Sequence, residues 1–176
     1  VEAIVLTAEG ANFSSGVDLS DYDHPAASPT VGDLCLQVEN LTKPVVVALK
    51  GLVLGPAFEV ALAAHARVAH VSTRVGTPET QLGQIPGAGG TQRLSRLAGA
   101  KLALDILLTG KLVAVTDKAA RAFVDHISGG DLRAEAIAFA KQLAQQGRVI
   151  KTSDRRDGFS DAREYQAEVS KRRAAL

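Results

Sequence analysis

The sequence predicts an α/β fold, because short runs of branched apolar residues alternate with stretches of helical periodicity. Residues 3–8 and 45–51 are continuous apolar runs bounded by glycine, asparagine or proline, which is the pattern of buried strands. A turn of small residues follows each run, and the second turn, at Gly55 and Pro56, leads into an alanine-rich helix. Such alternation is typical of folds that bind ligands at strand-to-helix turns.

Periodicity and punctuation predict the remaining elements. Apolar spacing predicts an amphipathic helix over residues 31–41, before Pro44, and a second helix over residues 94–108, which Gly110 ends. The other predicted elements are a loop at 20–29 that contains His24, a strand at 67–71, a short helix at 116–123, a short edge strand or turn at 124–127 with His126 on the surface, and a helix at 131–145 that Asp131 caps.

Composition indicates one globular domain and argues against two kinds of partner. Of 176 residues, 46% are apolar, which is enough to bury a core. A net charge of +1 and 4% aromatic residues argue against a nucleic-acid partner, and without a run of about 18 apolar residues no membrane partner is expected. The single cysteine, Cys35, indicates a reducing compartment and is expected to be a buried apolar side chain.

The two ends of the chain carry further expectations. The chain contains no methionine and begins at Val1 on a strand-like run, so we expect a fragment or a processed chain. Residues 148–173 hold eight Lys or Arg against five Asp or Glu, which is typical of a solvated or subunit-contacting helix. The expected location is the bacterial cytoplasm, or the mitochondrial matrix or peroxisome of a eukaryote.

Two glutamates, Glu59 and Glu79, are the main candidates for chemistry. Both lie among glycines and apolar residues, Glu59 near the start of the alanine-rich helix and Glu79 just after a predicted strand. Burial and mutual repulsion would raise the pKa of at least one carboxyl, while the helix N-terminus favours the ionised form of Glu59. The residues therefore indicate Glu59 as base and Glu79 as protonated acid, in a coupled pair.

Other interpretations of these residues are open. The glutamates could be an ordinary first-turn side chain and a solvent-facing loop residue, since isolated pairs are common. A glycosidase also uses two carboxylates, but this chain offers few aromatic side chains to stack on sugar rings. The glycine cluster at 87–90 is similar to a phosphate loop, yet no Lys-Ser or Lys-Thr follows it.

Together, these motifs resemble those of the enoyl-CoA hydratase/isomerase family, also called the crotonase family. The resemblance extends over residues 1–127, and the spacing from Glu59 to Glu79 matches without a gap. Four stretches carry it: GTPETQLGQIPGAGGTQRLSRLAG at 76–99, LALDILLTGK at 102–111, FSSGVD at 13–18 in place of the family's F-x-x-G-x-D turn, and GPAFE at 55–59 in place of its G-G-G-x-E segment.

The resemblance implies a spiral of repeated ββα units with C-terminal helices. It implies residues 1–130 as the crotonase-like core, and residues 131–176 as C-terminal helices or the start of a linker. Assembly as trimers or as dimers of trimers is implied, with a fatty acyl-CoA thioester as substrate. No metal or redox cofactor is expected, since the sequence contains no ligand cluster or dinucleotide fingerprint. Coenzyme A would be part of the substrate.

The resemblance also implies roles for individual residues. Main-chain N–H groups at Val17 and position 56 would form an oxyanion hole for the thioester oxygen. Glu59 would deprotonate the water that attacks C3, Glu79 would protonate C2, and the main chain at Gly87 would help to position the water. The implied substrate contacts are Ser15, Gly16, Asp18, Leu19, Gly55 and Gly87.

Three departures from the family pattern change these expectations. Position 56 is proline, which has no N–H, and loss of one oxyanion donor costs on the order of 10²- to 10³-fold in rate unless a neighbour such as Ala57 replaces it. We expect the family's first strands and helix, which would precede Val1, to be missing from this chain. His65 stands where simple hydratases carry an acidic residue, which resembles the hydratase part of multifunctional β-oxidation enzymes.

Three hypotheses follow, in this order. The first is a hydratase that adds water across the C2=C3 bond of a trans-2-enoyl-CoA in fatty-acid oxidation. The second is an isomerase of the same family, which would need Glu79 but not Glu59. The third is an acyl-CoA-binding subunit with little or no activity because of Pro56.

Overall fold

The computed structural model describes residues 1–18, 20, 28–147 and 149–175, in which strands and helices alternate. Most of the predicted loop that contains His24 lies outside the described residues. The strands are β1 (Ile4–Leu6), β2 (Val45–Leu49), β3 (Leu52–Leu54), β4 (Ala66–His70), β5 (Arg74–Gly76), β6 (Val113–Ala114) and β7 (His126–Ser128). The α-helices are α1 (Val31–Asn40), α2 (Pro56–Ala63), α3 (Gly90–Thr109), α4 (Leu132–Gln146) and α5 (Ala162–Ala174). Short 3₁₀-helices span Pro78–Leu82, Lys118–Ala122, Thr152–Asp154 and Asp157–Phe159.

Four parallel strands form the larger sheet, in the order β1-β2-β4-β7. All five residues of β2 are buried, so the prediction that this run is covered on both faces is confirmed. β7 lies at the edge of the sheet, as predicted for residues 124–127. A second sheet contains β3, β5 and β6, with β3 and β5 parallel and β6 antiparallel to β5. The predicted α/β class is therefore confirmed.

The structure adds three short strands that periodicity did not predict, β3, β5 and β6. Residues 45–54 are almost continuously apolar, but Gly51 adopts φ +55 and divides them into β2 and β3, which belong to different sheets. A Cβ atom at Gly51 would lie 2.4 Å from the Ala11 carbonyl oxygen, so this position requires glycine. The chain thus forms a strand–strand–helix unit at β2-β3-α2, and Glu79 follows β5 rather than the strand predicted at 67–71.

The helices predicted at 31–41 and 131–145 are confirmed as α1 and α4. Thr30 and Asp33 form a capping box at the start of α1. The side chain of Asp131 accepts the N–H of Ala134 and caps α4. Five residues of α4 pack against the larger sheet, two of them buried and three partly buried: Ala136, Ala140, Leu132, Phe139 and Leu143.

α3 differs from the prediction at two points. It ends at Gly110 in the left-handed conformation, as predicted, but it begins at Gly90 rather than Leu94. Gly99, with φ +74, divides it into two helical segments. The carbonyl oxygen of Gly158 lies 3.4 Å from where a Cβ at Gly99 would be, so the kink brings the C-terminal chain close to α3.

The mixed-charge tail forms α5, which packs on α3. The ring of Phe159 makes an edge contact with Tyr165 and lies under the guanidinium of Arg96, so α3 and the tail share an aromatic contact. The short helix predicted at 116–123 is the 3₁₀-helix Lys118–Ala122. Within the described ranges no helix is long and apolar enough to cross a membrane. The division of the chain at residue 130 stays a prediction.

One charged side chain, Arg67 on β4, lies fully inside the core, and the sequence did not single it out. Its Nε donates to the Phe123 carbonyl at 2.7 Å, and its Nη2 lies 2.9 Å from Asp125 Oδ2. Its Nη1 donates to the carbonyls of Ala61 and Ala64. The guanidinium therefore ties the end of α2 to the segment before β7.

We predict that Arg67→Met lowers the free energy of unfolding by about 3–5 kcal/mol, because it leaves Asp125 and three carbonyls without this donor. Urea unfolding followed by circular dichroism measures the change. Arg74→Met is the matched control, since Arg74 is exposed on β5, and should change stability by less than about 0.5 kcal/mol. A loss at Arg67 no larger than that of the control would contradict the prediction.

Candidate active site

The turn between β3 and α2 places Glu59. β3 ends at Leu54, and Gly55 then adopts φ +58, a left-handed value that favours glycine. The N–H of Gly55 donates to the carbonyl of Gly76 at the end of β5, which fixes the turn against the second sheet. Pro56 begins α2 and Glu59 lies in its first turn, so the predicted local placement is confirmed.

The Glu59 carboxylate is buried, with 2% of the residue exposed, and two main-chain donors hold it. Its Oε1 accepts the N–H of Gly90 at 2.7 Å and that of Ala88 at 2.9 Å. A Cβ at Gly90 would lie 2.8 Å from the same oxygen, so glycine is needed there. No hydrogen bond among the described residues uses Oε2. Burial raises the pKa of Glu59, and the two N–H donors offset part of this rise.

Glu79 lies in the 3₁₀-helix Pro78–Leu82 and is also buried. Its Oε1 is 2.8 Å from the position that a Cβ at Gly55 would occupy, so the carboxyl packs against the turn that begins α2. Neither of its oxygens has a hydrogen-bond partner in the part of the chain that the structure describes. Burial raises the pKa of Glu79, and the negative charge of Glu59 raises it further. These surroundings favour an ionised Glu59 beside a protonated Glu79.

The small-residue turn after β1 runs beside β3. Ser14 pairs with Val53 in a parallel bridge, and Leu54 donates its N–H to the carbonyl of Ser14 at 3.0 Å. Val17 comes three residues after Ser14 in the sequence, and Pro56 comes three residues after Val53. The two positions that the family resemblance assigns to the oxyanion hole thus follow neighbouring, parallel stretches of chain.

The first turn of α2 offers one main-chain donor near this point. Pro56 has no N–H, and the first N–H groups of a helix have no partner within it. For the N–H of Ala57, the described chain provides no acceptor. The N–H of Ala57 is therefore the candidate donor at this turn.

The remaining predicted contacts lie around this turn and in the segment before α3. Those at exposed positions are Ser15, Asp18 and Gly87. Asp18 accepts the N–H and the hydroxyl of Ser20, which lowers the pKa of Asp18. Gly16 has φ +108 and lies against Leu54, whereas Leu19 lies outside the described residues. The roles of these residues as substrate contacts stay predictions.

A buried ion pair that no sequence pattern predicted lies next to Glu59. Arg93, in the first turn of α3, lies with its Nη2 2.8 Å from Oε2 of Glu39, in α1. The ring of His65 is buried beside this pair, where its Nδ1 accepts the N–H of Val45. The only local sign of this ion pair was an arginine, Arg93, four residues after Gly89. Its partner Glu39 is 54 residues away in the sequence, so the pairing could not be predicted.

Comparison with known proteins places this geometry in a family. A family model for enoyl-CoA hydratase/isomerase matches residues 1–170. The peroxisomal bifunctional enzyme of Danio rerio is 39% identical over 140 residues, which cover 80% of this chain and 20% of the relative. The glyoxysomal fatty acid beta-oxidation multifunctional protein of Brassica napus is 35% identical, over 93% of this chain and 25% of the relative.

A solved structure agrees with this assignment. The enoyl-CoA hydratase from Bacillus anthracis matches with a TM-score of 0.72 at 33% identity, over 81% of this chain and 58% of that chain. The chain therefore spans less than two thirds of this structure and a quarter or less of the two multifunctional relatives. Because the family model extends over nearly all of it, the chain belongs to the enoyl-CoA hydratase/isomerase family.

Proposed function

We propose that the protein is an enoyl-CoA hydratase, which adds water across the C2=C3 bond of a trans-2-enoyl-CoA thioester. The observation that carries this proposal is the pair of buried carboxyl groups with unequal surroundings. Glu59 has two N–H donors, whereas Glu79 has no partner among the described residues. Environments that separate two carboxyl groups in this way suit one to act as base and the other as acid.

Glu59 acts as the base in this proposal. Its Oε1 is held by Ala88 and Gly90, so Oε2 is the atom that takes a proton from water. As the O–H bond breaks, the water oxygen forms a bond to C3, and the π electrons move toward C2 and the thioester oxygen. The main-chain donors keep Glu59 in one orientation, which lowers the entropic part of the barrier.

Glu79 acts as the acid and supplies the proton that forms the C2–H bond. Its burial and the charge of Glu59 raise its pKa, which favours the protonated form needed before reaction. After one turnover Glu59 is protonated and Glu79 ionised, and proton exchange with solvent restores the starting state. The net change is the addition of one water, which requires no metal or redox cofactor.

The thioester oxygen carries negative charge in the transition state and needs donors. We assign one donor to the N–H of Val17, in the turn that follows the Ser14–Val53 bridge. The second family position is Pro56, which cannot donate, and the free N–H of Ala57 is the alternative donor. The activity of the wild-type protein therefore depends on how well one donor, or an offset pair, stabilises the enolate.

The names of the relatives support a place in fatty-acid oxidation. The Danio rerio relative is called a peroxisomal bifunctional enzyme, and the Brassica napus relative a glyoxysomal fatty acid beta-oxidation multifunctional protein. We propose the same process and a peroxisomal location for a eukaryotic source, while the bacterial cytoplasm and the mitochondrial matrix stay predictions. As the family resemblance implies, we also propose assembly as trimers or as dimers of trimers.

Replacement of either glutamate should nearly abolish hydration. We expect Glu59→Gln and Glu79→Gln each to lower kcat by about 10²- to 10⁴-fold, because each removes a group that transfers a proton. The fall in absorbance of crotonyl-CoA measures the rate, with Glu9→Gln, at an exposed glutamate, as control. Unchanged rates in both variants would rule out the hydratase. Loss of 3-enoyl to 2-enoyl conversion in Glu79→Gln alone would identify an isomerase.

The stability of Glu79→Gln relative to the wild type should increase as the pH rises. A carboxyl whose pKa is raised on folding binds its proton more tightly in the folded state, so wild-type stability falls as pH rises above the ordinary value of 4.5. The variant has no carboxyl at position 79 to ionise, so it does not lose stability in this way. At pH 8 its free energy of unfolding should exceed that of the wild type by on the order of 1 kcal/mol, with little difference at pH 4. Urea unfolding across this range measures it. A difference that does not grow with pH would refute a protonated Glu79.

Restoring a main-chain donor at position 56 should increase activity. We expect Pro56→Gly and Pro56→Ala to raise kcat/KM by up to about 10²-fold, since both restore an N–H at the start of α2. Parallel assays with crotonyl-CoA measure the change, and Pro29→Ala controls for loss of a proline elsewhere. Equal rates in all variants would show that the Ala57 N–H already fills the role. A gain in Pro56→Gly alone would point to backbone flexibility instead.

A further inference from the structure

The buried pair of Arg93 and Glu39 has contacts beyond its own charge attraction. The Arg93 Nη2 lies 2.8 Å from Glu39 Oε2 and its Nε lies 3.3 Å from Oε1, with side chains only 7% and 5% exposed. A buried ion pair contributes little net stability, because the cost of removing two charges from water offsets the attraction between them. The role of the pair is indicated instead by its contacts with the main chain near Glu59.

Arg93 also binds the main chain that holds the proposed base. Its Nη1 donates to the carbonyl of Ala88 at 2.9 Å, and the N–H of Ala88 donates to Glu59 Oε1, also at 2.9 Å. A Cβ at Gly89 would lie 2.5 Å from Nη1, so the guanidinium rests directly on this turn. A continuous set of contacts therefore leads from Glu39 through Arg93 and Ala88 to Glu59.

Glu39 is itself held from two further directions. Its Oε1 accepts the N–H of Ser153, in the 3₁₀-helix Thr152–Asp154, at 2.9 Å. Its main-chain carbonyl lies 3.2 Å from Nε2 of His65. Because α1, α3 and the C-terminal chain all contribute contacts, the guanidinium has little freedom to move. A charged group fixed in this way can set the position of the turn that it contacts.

We propose that Arg93 and Glu39 are positioning residues, which hold the Ala88 N–H on Glu59 and so keep Oε2 of this carboxylate directed at the reacting water. The proposal rests on the base role proposed above for Glu59. A misplacement of about 1 Å in such a contact can cost about 10²-fold in rate. The pair acts through the main chain and has no contact with the substrate in this scheme.

The charge of Arg93 adds an electrostatic effect that can be measured. The titratable groups that face Glu59 are Glu79, Cys35 on α1 and Arg93 on α3. Burial raises the pKa of the Cys35 thiol to about 11, so it is neutral at working pH. The positive charge of Arg93 lowers the pKa of Glu59, against the effect of burial. Removal of that charge should move the acid limb of kcat/KM to higher pH, since Glu59 must be ionised to act as base.

The test uses the double variant Glu39→Gln/Arg93→Met, because removing Arg93 alone would leave the Glu39 charge buried and unpaired. We expect kcat to fall by about 10²-fold with KM changed less than about 2-fold, and the acid limb to move upward. Arg93→Lys keeps the charge but not the three contacts, so its acid limb should stay near the wild-type position while kcat is intermediate. Arg96→Met, at an arginine that packs over Phe159, is the matched control.

A second measurement does not depend on turnover. In the folded wild type, the Ala88 amide proton should resonate downfield because it donates to a carboxylate, and the Glu59 carboxyl carbon gives its pKa by NMR titration. The double variant should move the amide signal upfield and raise that pKa, while Arg96→Met changes neither. If the wild-type chain has no hydratase activity but the double variant still changes the amide shift and the pKa in this way, the positioning role is retained and the proposed function is rejected. A folded, active double variant with wild-type kcat, acid limb and amide shift would overturn the positioning role.

Discussion

The hydrogen bonds from Ala88 and Gly90 to Glu59 are the contact on which the site depends. A carboxylate is costly to bury without donors, and the first N–H groups of a helix have no partners within it. The start of α3 meets both needs at once, since Gly90 is its first residue. This arrangement requires glycine at position 90, because a Cβ there would displace the carboxylate.

The second carboxyl owes its character to the absence of such donors among the described residues. Glu79 packs against Gly55, the residue that begins the turn into α2, and the charge of Glu59, in the first turn of that helix, raises the pKa of Glu79. Two glycines, each beside one carboxyl, therefore create room for both groups. Unequal hydrogen bonding then separates their proton affinities, which is what acid–base chemistry at neutral pH requires. The Arg93–Glu39 ion pair lies behind this contact, since Arg93 donates to the carbonyl of Ala88.

The sequence predicted those parts of the fold in which local pattern and tertiary structure agree. α1 and α4 have both a cap residue and an apolar face, and β2 is a pure branched run. β3, β5 and β6 were missed because each has only two or three residues and no separate apolar run marks it, so pairing within the second sheet defines these strands. The kink at Gly99 was missed because the apolar pattern continues through it, and its contact with Gly158 joins distant parts of the chain.

By itself, the sequence determined that two glutamates follow glycine-bounded elements at the family's spacing, and that position 56 has no N–H. Both facts depend only on residue identity and local order. Tertiary structure alone decided which donors hold Glu59, which carboxyl has none in the described chain, and which acid pairs with Arg93. The physical reason is that these contacts join residues 29 to 54 positions apart, where distances are set by packing of the sheets and helices.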